Sequence, residues 1–274
     1  MNAAPGHADR PEPDHPHPDG ASRTDVVPVD LRISTAYAVG GGPGRGRWVL
    51  VDTGPAGAEH RLLRALDRVG ITGDDIGLVV LTHCHPDHAG GAAHLQRELR
   101  VPVAVHQAEA GWAATGVGEF YRPLRPFGRL LLRTLAPTFP AVDPDVVLDD
   151  GADLTAYGAP LSVLHTPGHT PGSITLLHHD TGDALVGDLL AGGMLRPDRP
   201  DLPFLGHDVS AIRAGVHRVL AAAPGRFRFG HGRPASAVSV ARRFGPRPAV
   251  ARVTATQTTA TQTTEPTTGL GATT

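Results

Sequence analysis

The sequence predicts an α+β fold with two β-sheets face to face and helices on their outer sides. Three observations predict it. Short apolar runs rich in β-branched residues recur in both halves of the chain; segments with helical spacing fall between them; turns of glycine, proline and aspartate punctuate the whole. A sheet and an amphipathic helix each carry an apolar face, and stacking in layers buries both.

Taken in order, Val26–Ile33 and Thr35–Val39 read as strands, and a Gly-rich turn, Gly40–Gly44, leads into a third at Trp48–Val51. Residues 57–69 switch to helical spacing, with Leu62, Leu63, Leu66 and Val69 on one face and Gly70 as the stop. Gly77–Leu81 is a continuous apolar run, short and β-branched, which fits a buried strand. A helix is expected from near His88 to about Leu99, and a strand over Val101–Val105. In the second half, strands are expected at 145–148, 160–165, 173–178 and 184–187, the last two joined as a hairpin through His179–Asp183. A helix over 208–222 places Ile212, Val216, Val219 and Leu220 on one face, and Arg226–Phe229 is a final short strand.

Composition narrows the function classes. A net charge of −2 with 19% charged residues provides no basic face for nucleic acid. No run approaches the roughly 18 apolar residues of a membrane span, and the N-terminus lacks the basic start and apolar stretch of a secretory signal. The one cysteine, Cys84, excludes an internal disulfide and suits a reducing compartment, with cytoplasm the expected location. Residues 1–24, rich in Pro and His, and residues 251–274, rich in Thr, carry too little apolar surface to offset the entropy of ordering, and are expected to be tails around a single domain over 25–250.

The chemistry concentrates in His83-x-His85-x-Asp87-His88, which places potential ligands densely after a predicted buried strand. Imidazole suits zinc, iron and nickel, and carboxylate adds a hard oxygen donor. On an extended turn His83 and His85 point the same way, while the helix onset aims Asp87 and His88 elsewhere, so the cluster can serve two ions. By the same alternation Cys84 faces away as a packed thiol. Three further strand ends each offer one ligand beside a glycine: His169 in Thr166-Pro167-Gly168-His169, Asp188 after Leu185-Val186-Gly187, and His231 in Gly230-His231-Gly232.

This order of motifs resembles the metallo-β-lactamase-fold hydrolase superfamily over roughly residues 26–245. The resemblance implies a four-layer αββα sandwich of two mixed sheets with the metals in a cleft at one edge. It further implies that His83, His85 and His169 hold a first ion, that Asp87, His88 and His231 hold a second, and that Asp188 bridges. Asp52, in Val51-Asp52-Thr53-Gly54, would then brace the metal-binding loop from behind. Two divalent ions, zinc in the first instance with Mn2+ or Fe2+ as alternatives, would ionise a shared water to attack a carbonyl or phosphorus centre, with Asp87 also handling its proton. The implied activity is hydrolysis of a small-molecule ester, lactone, thioester or amide. The alternative within the same fold is an oxidoreductase resembling persulfide dioxygenases, with a single iron.

Within that resemblance, Asp188 and the absence of an export signal count against a true β-lactamase. Leu189-Leu190-Ala191-Gly192-Gly193 lacks the tyrosine of quorum-quenching lactonases, and no basic C-terminal segment suggests glutathione recognition. Residues 118–140 mix apolar side chains with Arg122, Arg125, Arg129 and Arg133, and are read either as a surface helix packed through its leucines or as a mobile cap over the cleft, with Met194–Gly206 then the opposite rim. His207 is expected to begin a helix.

Overall fold

A computed structural model of the chain describes residues 26–40, 47–119, 122–193, 196 and 198–245. The expected tails at 1–24 and 251–274, most of the Gly40–Gly44 turn, and Met194, Leu195 and Pro197 of the expected rim lie outside the described residues.

The first half runs β1 (Val26–Asp30), β2 (Thr35–Val39), β3 (Trp48–Val51), α1 (Glu59–Asp67), β4 (Ile76–Val80), α2 (Pro86–Ala89), α3 (Ala92–Leu99), β5 (Val103–His106) and α4 (Ala110–Thr115). The second runs β6 (Arg122–Pro123), α5 (Gly128–Leu131), β7 (Val146–Leu148), β8 (Leu161–His165), β9 (Ile174–His178), β10 (Asp183–Leu185), β11 (Leu205–Gly206), α6 (Val209–Ala221), β12 (Arg226–Arg228), β13 (Ala235–Ser236) and α7 (Ala237–Phe244). One sheet has the order β1-β2-β3-β4-β5-β7, the other β13-β12-β10-β9-β8, and β11 pairs with β6 in a small third sheet. Both large sheets are mixed: β3, β4, β5 and β7 run parallel while β1 and β2 are antiparallel, and β10–β12 is a parallel pair in an otherwise antiparallel sheet.

Strand alternation generates the layers. In β3, Val49 and Val51 face the second sheet, while Leu50 faces α1 and α3. Leu78 and Val80 of β4 meet Leu161, Val163, Ile174 and Leu176 in the middle layer. Ala184 of β10 and Phe227 of β12 turn the other way, onto Ile212, Val216 and Val219 of α6 and Val240 of α7. Three apolar cores thus separate four layers, and each fully buried Leu, Ile or Val in them is worth about 1.5–3 kcal/mol of transfer free energy. The fold expected from the sequence is the one observed.

Local differences have identifiable causes. The helix expected from His88 to Leu99 is broken into α2 and α3 at Gly90-Gly91. A Cβ on Gly90 would lie 2.2 Å from Ala56 N, so the break lets the 53–56 loop pass against the helix start. Val69 is 56% exposed because α1 ends at Asp67. The strand at β13 and the helix α7 were not legible in the sequence pattern. Residues 122–131 contribute only a two-residue strand and a single helical turn. No helix among the described residues is long and apolar enough to cross a membrane.

Candidate metal centre

Every loop that carries an expected ligand leaves the C-terminal end of a strand, which gathers them at one edge of the sandwich. β4 delivers His83–His88, β8 delivers His169, β10 delivers Asp188, β12 delivers His231, and β3 ends beside them at Asp52. The structure brings all seven expected ligands together. His83, His85 and His169 form one group, Asp87, His88 and His231 another, and His83 and His88 form a third with Asp188; in each the ligand atoms lie within 4.8 Å of one another. Asp188 sits between the first two groups, its Oδ2 3.6 Å from His169 Nε2 and 3.2 Å from His231 Nε2.

The outer ring nitrogens settle which inner ones face the centre. Carboxylate and carbonyl oxygens only accept hydrogen bonds, so a ring nitrogen against one must carry the proton. His88 Nδ1 donates to Asp52 Oδ2 at 2.8 Å. The Thr82 hydroxyl donates to the same carboxylate, leaving its oxygen to accept from His83 Nδ1 at 3.1 Å. His85 Nε2 donates to Glu119 O, His169 Nδ1 to Leu205 O, and His231 Nδ1 to Ile33 O. With the outer nitrogen spoken for, the inner nitrogen of each of the five imidazoles is the one left to face an ion, and its outer partner orients the ring and raises its basicity.

This donor set fits metal. His85 Nδ1 and His169 Nε2, left without protons by their outer partners, approach to 3.0 Å, a contact that a shared cation would relieve, and His88 Nε2 and His231 Nε2 lie 3.3 Å apart beside the Asp87 and Asp188 carboxylates. Buried His83 Nε2 and Asp188 Oδ1 have no hydrogen-bond partner among the described residues. A Cβ on Gly230 would lie 2.5 Å from both Asp188 Oδ1 and His88 Cε1, so only glycine lets the backbone line the centre. Burial and charge pull the proton affinities of these groups apart. Burial pushes His83 well down and, helped by His169, holds His85 at about 4. Against burial, Asp87 and Asp52 lift His88 to about 9, and Asp188 and Asp87 raise His231. Burial works to raise Asp87 and Asp188, yet His88 and His231 hold both well below the usual carboxylate range. The His88 and His231 rings thus hold protons more tightly than His83 and His85.

Asp52 braces the loop as expected. Besides His88 it accepts from Thr82 N at 2.8 Å, and it does so from a left-handed backbone conformation, φ +61°. Sequence reasoning missed Glu109. Its buried carboxylate accepts from Cys84 N at 2.6 Å and from Gly172 N at 2.8 Å, tying the His83–His85 loop to the His169 turn. Nothing in His106-Gln107-Ala108-Glu109 signals that role. Cys84 is buried in the outer core, away from the ligand atoms. Leu189 and Leu190 after Asp188 are buried against α6. His207 precedes α6, whose N-cap is Asp208.

A family profile described as the metallo-beta-lactamase superfamily matches residues 29–247. The chain belongs to that superfamily. Among its relatives, the probable metallo-hydrolase YqgX of Bacillus subtilis is 28% identical over 62% of this chain and 72% of its own length. Hydroxyacylglutathione hydrolase GloC of Haemophilus influenzae is 30% identical over 53% of this chain and 64% of its own, so the chain spans a little under two thirds of that enzyme. Of solved superfamily structures, TTHA1623 in a di-iron-bound form superposes with a TM-score of 0.56 at 27% identity, covering 78% of this chain and 94% of that one. The superfamily's fold and its metal-hydrolase character thus agree with the His/Asp cluster at the sheet edge.

Proposed function

We propose that the chain is a dinuclear metal-dependent hydrolase of a small-molecule ester, lactone, thioester or amide. His83, His85 and His169 would hold one ion and Asp87, His88 and His231 the other, with Asp188 available to both. The observation that carries the proposal is the pair of complete three-ligand groups with one carboxylate between them. Zinc matches the nitrogen-rich donor set, and the di-iron form of TTHA1623 makes iron the metal to test beside it. When bound, such a pair supplies an ionised water near neutral pH and a Lewis acid for the carbonyl oxygen.

The chain's own residues supply the rest. Asp87, whose side chain is 29% exposed, is the carboxylate that reaches toward the open side, with Oδ2 3.2 Å from His231 Nε2. It accepts a hydrogen bond from the attacking water and orients it. Asp52 and Glu109 keep the ligand loops in place, so the geometry is set before substrate arrives. GloC, by name a hydroxyacylglutathione hydrolase, supports trying acyl-thiol substrates first.

Elemental analysis joined to a panel of lactones, thioesters, aryl esters, β-lactams and phosphodiesters tests this, with Asp87→Ala as the blank. Two ions per chain and hydrolysis lost in the blank are expected. One iron per chain with oxygen consumption would overturn the hydrolase reading in favour of an oxidoreductase.

A further inference from the structure

The five imidazoles differ in what holds their outer nitrogen. His88 rests on the Asp52 carboxylate, and His83 reaches that carboxylate through the Thr82 hydroxyl. His85, His169 and His231 rest instead on backbone carbonyls, and those of the first two, Glu119 O and Leu205 O, lie on the same side of the cleft as residues 122–128. Neither carbonyl belongs to a large sheet. Glu119 follows the bridge at Val117, and Leu205 lies in β11, which pairs with Pro123 of β6.

The stretch that holds Leu205 is clamped from one side. Leu124 N donates to Phe204 O at 2.8 Å. The Arg125 guanidinium stands 4.6 Å over the Phe204 ring and 3.7 Å from Asp201. Phe127 meets Phe204 edge-on, with ring centroids 5.4 Å apart. Space is tight: a Cβ on Gly128 would lie 2.3 Å from Phe204 O.

We infer that the Arg122–Gly128 stretch, clasped on Phe204–Gly206, is a positioning device for one metal position of the two. Through Leu205 O it fixes the tautomer of His169, and Glu119 O does the same for His85. Loosening the clasp weakens the ion held by His83, His85 and His169, and leaves the ion held by Asp87, His88 and His231 in place, because His88 rests on Asp52 and His231 on Ile33 O, neither of which belongs to the clasped segment. The inference rests on the dinuclear reading above.

The test titrates zinc against a competing chelator in the wild type, Gly128→Ala, Arg125→Ala and a control, Gly111→Ala, whose added methyl meets nothing within 4 Å. Long-range 1H–15N spectra of the histidine rings run in parallel. Zinc-loaded wild type should show His85 protonated at Nε2 and His169 at Nδ1. In Gly128→Ala, one of the two ions should bind about 10–100-fold more weakly, the range typical of lost outer partners, and the His169 Nδ1–H signal should shift or vanish. Arg125→Ala adds no bulk and should weaken the same ion to a smaller degree, which keeps the test decisive if Gly128→Ala does not fold. The control should match wild type. Variants that keep both ions at wild-type affinity with an unchanged His169 tautomer, or that lose both ions in parallel, overturn the clasp alone. A wild type that binds fewer than two ions overturns the dinuclear reading and the clasp with it.

Discussion

Replacing Glu109 by alanine removes one carboxylate from between two ligand-bearing loops. Its two oxygens satisfy the backbone N–H groups of Cys84 and Gly172, 2.6 and 2.8 Å away, and the residue is 1% exposed. Each stranded buried donor costs about 1–3 kcal/mol, so the pair amounts to roughly 2–6 kcal/mol, offset in part by no longer burying a charge. A net loss of about 3 kcal/mol is a large share of the roughly 5–15 kcal/mol that holds a domain together. For a domain of this size it lowers Tm by about 6–12 °C. Thermal unfolding followed by circular dichroism, with excess chelator to remove the contribution of bound metal, measures it directly. Glu109→Gln keeps one acceptor and should fall between wild type and alanine. A Glu109→Ala protein that melts within about 1 °C of wild type and binds zinc equally well would refute the claim that this carboxylate ties the two loops.

Three further outcomes are expected. Asp52→Asn replaces an acceptor-only group with one that can turn an amide toward His88 Nδ1 or Thr82 N; zinc affinity should drop about 10–100-fold in a chelator competition, and unchanged affinity would deny Asp52 its bracing role. Burial, with Glu109 beside it, pushes the Cys84 thiol well up, so iodoacetamide at pH 8 should label Cys84 only after unfolding, and mass spectrometry showing native labelling at the rate of a free thiol would contradict the buried placement. Burial and then the stacked His165 ring, 3.9 Å away, lower His106; because its folded value lies below the unfolded value of about 6.5, the unfolded state takes up the extra proton, and stability present above that pH is lost as pH falls through it toward the folded value. Urea unfolding across that window should show a shallower pH slope for His106→Gln, and an identical slope would remove His106 from the account.

Most of the fold was legible because its signals are local. The short apolar runs at Trp48–Val51 and ending at Leu81 placed strands within a residue or two, since a strand buried on both faces is apolar at every position. The break at Gly90-Gly91 was not legible: glycine in a helical pattern is tolerated as often as it ends a helix, and here the 53–56 loop decides. The strand β13 and helix α7 were missed because two residues are too short for a period, and the Arg-rich stretch Ala237–Phe244 buries little beyond Val240 and Phe244.

By itself the sequence determined which residue types stand at the strand ends: His83, His85, Asp87 and His88 in one run, and His169, Asp188 and His231 each beside a glycine. Only the tertiary structure decided how they are held. Glu109 acts on groups 25 and 63 positions away, and Ile33 O meets His231 across 198. A hydrogen bond depends on distance in space, and no local pattern records which carbonyl or carboxylate the fold will carry to the outer nitrogen of a histidine ring.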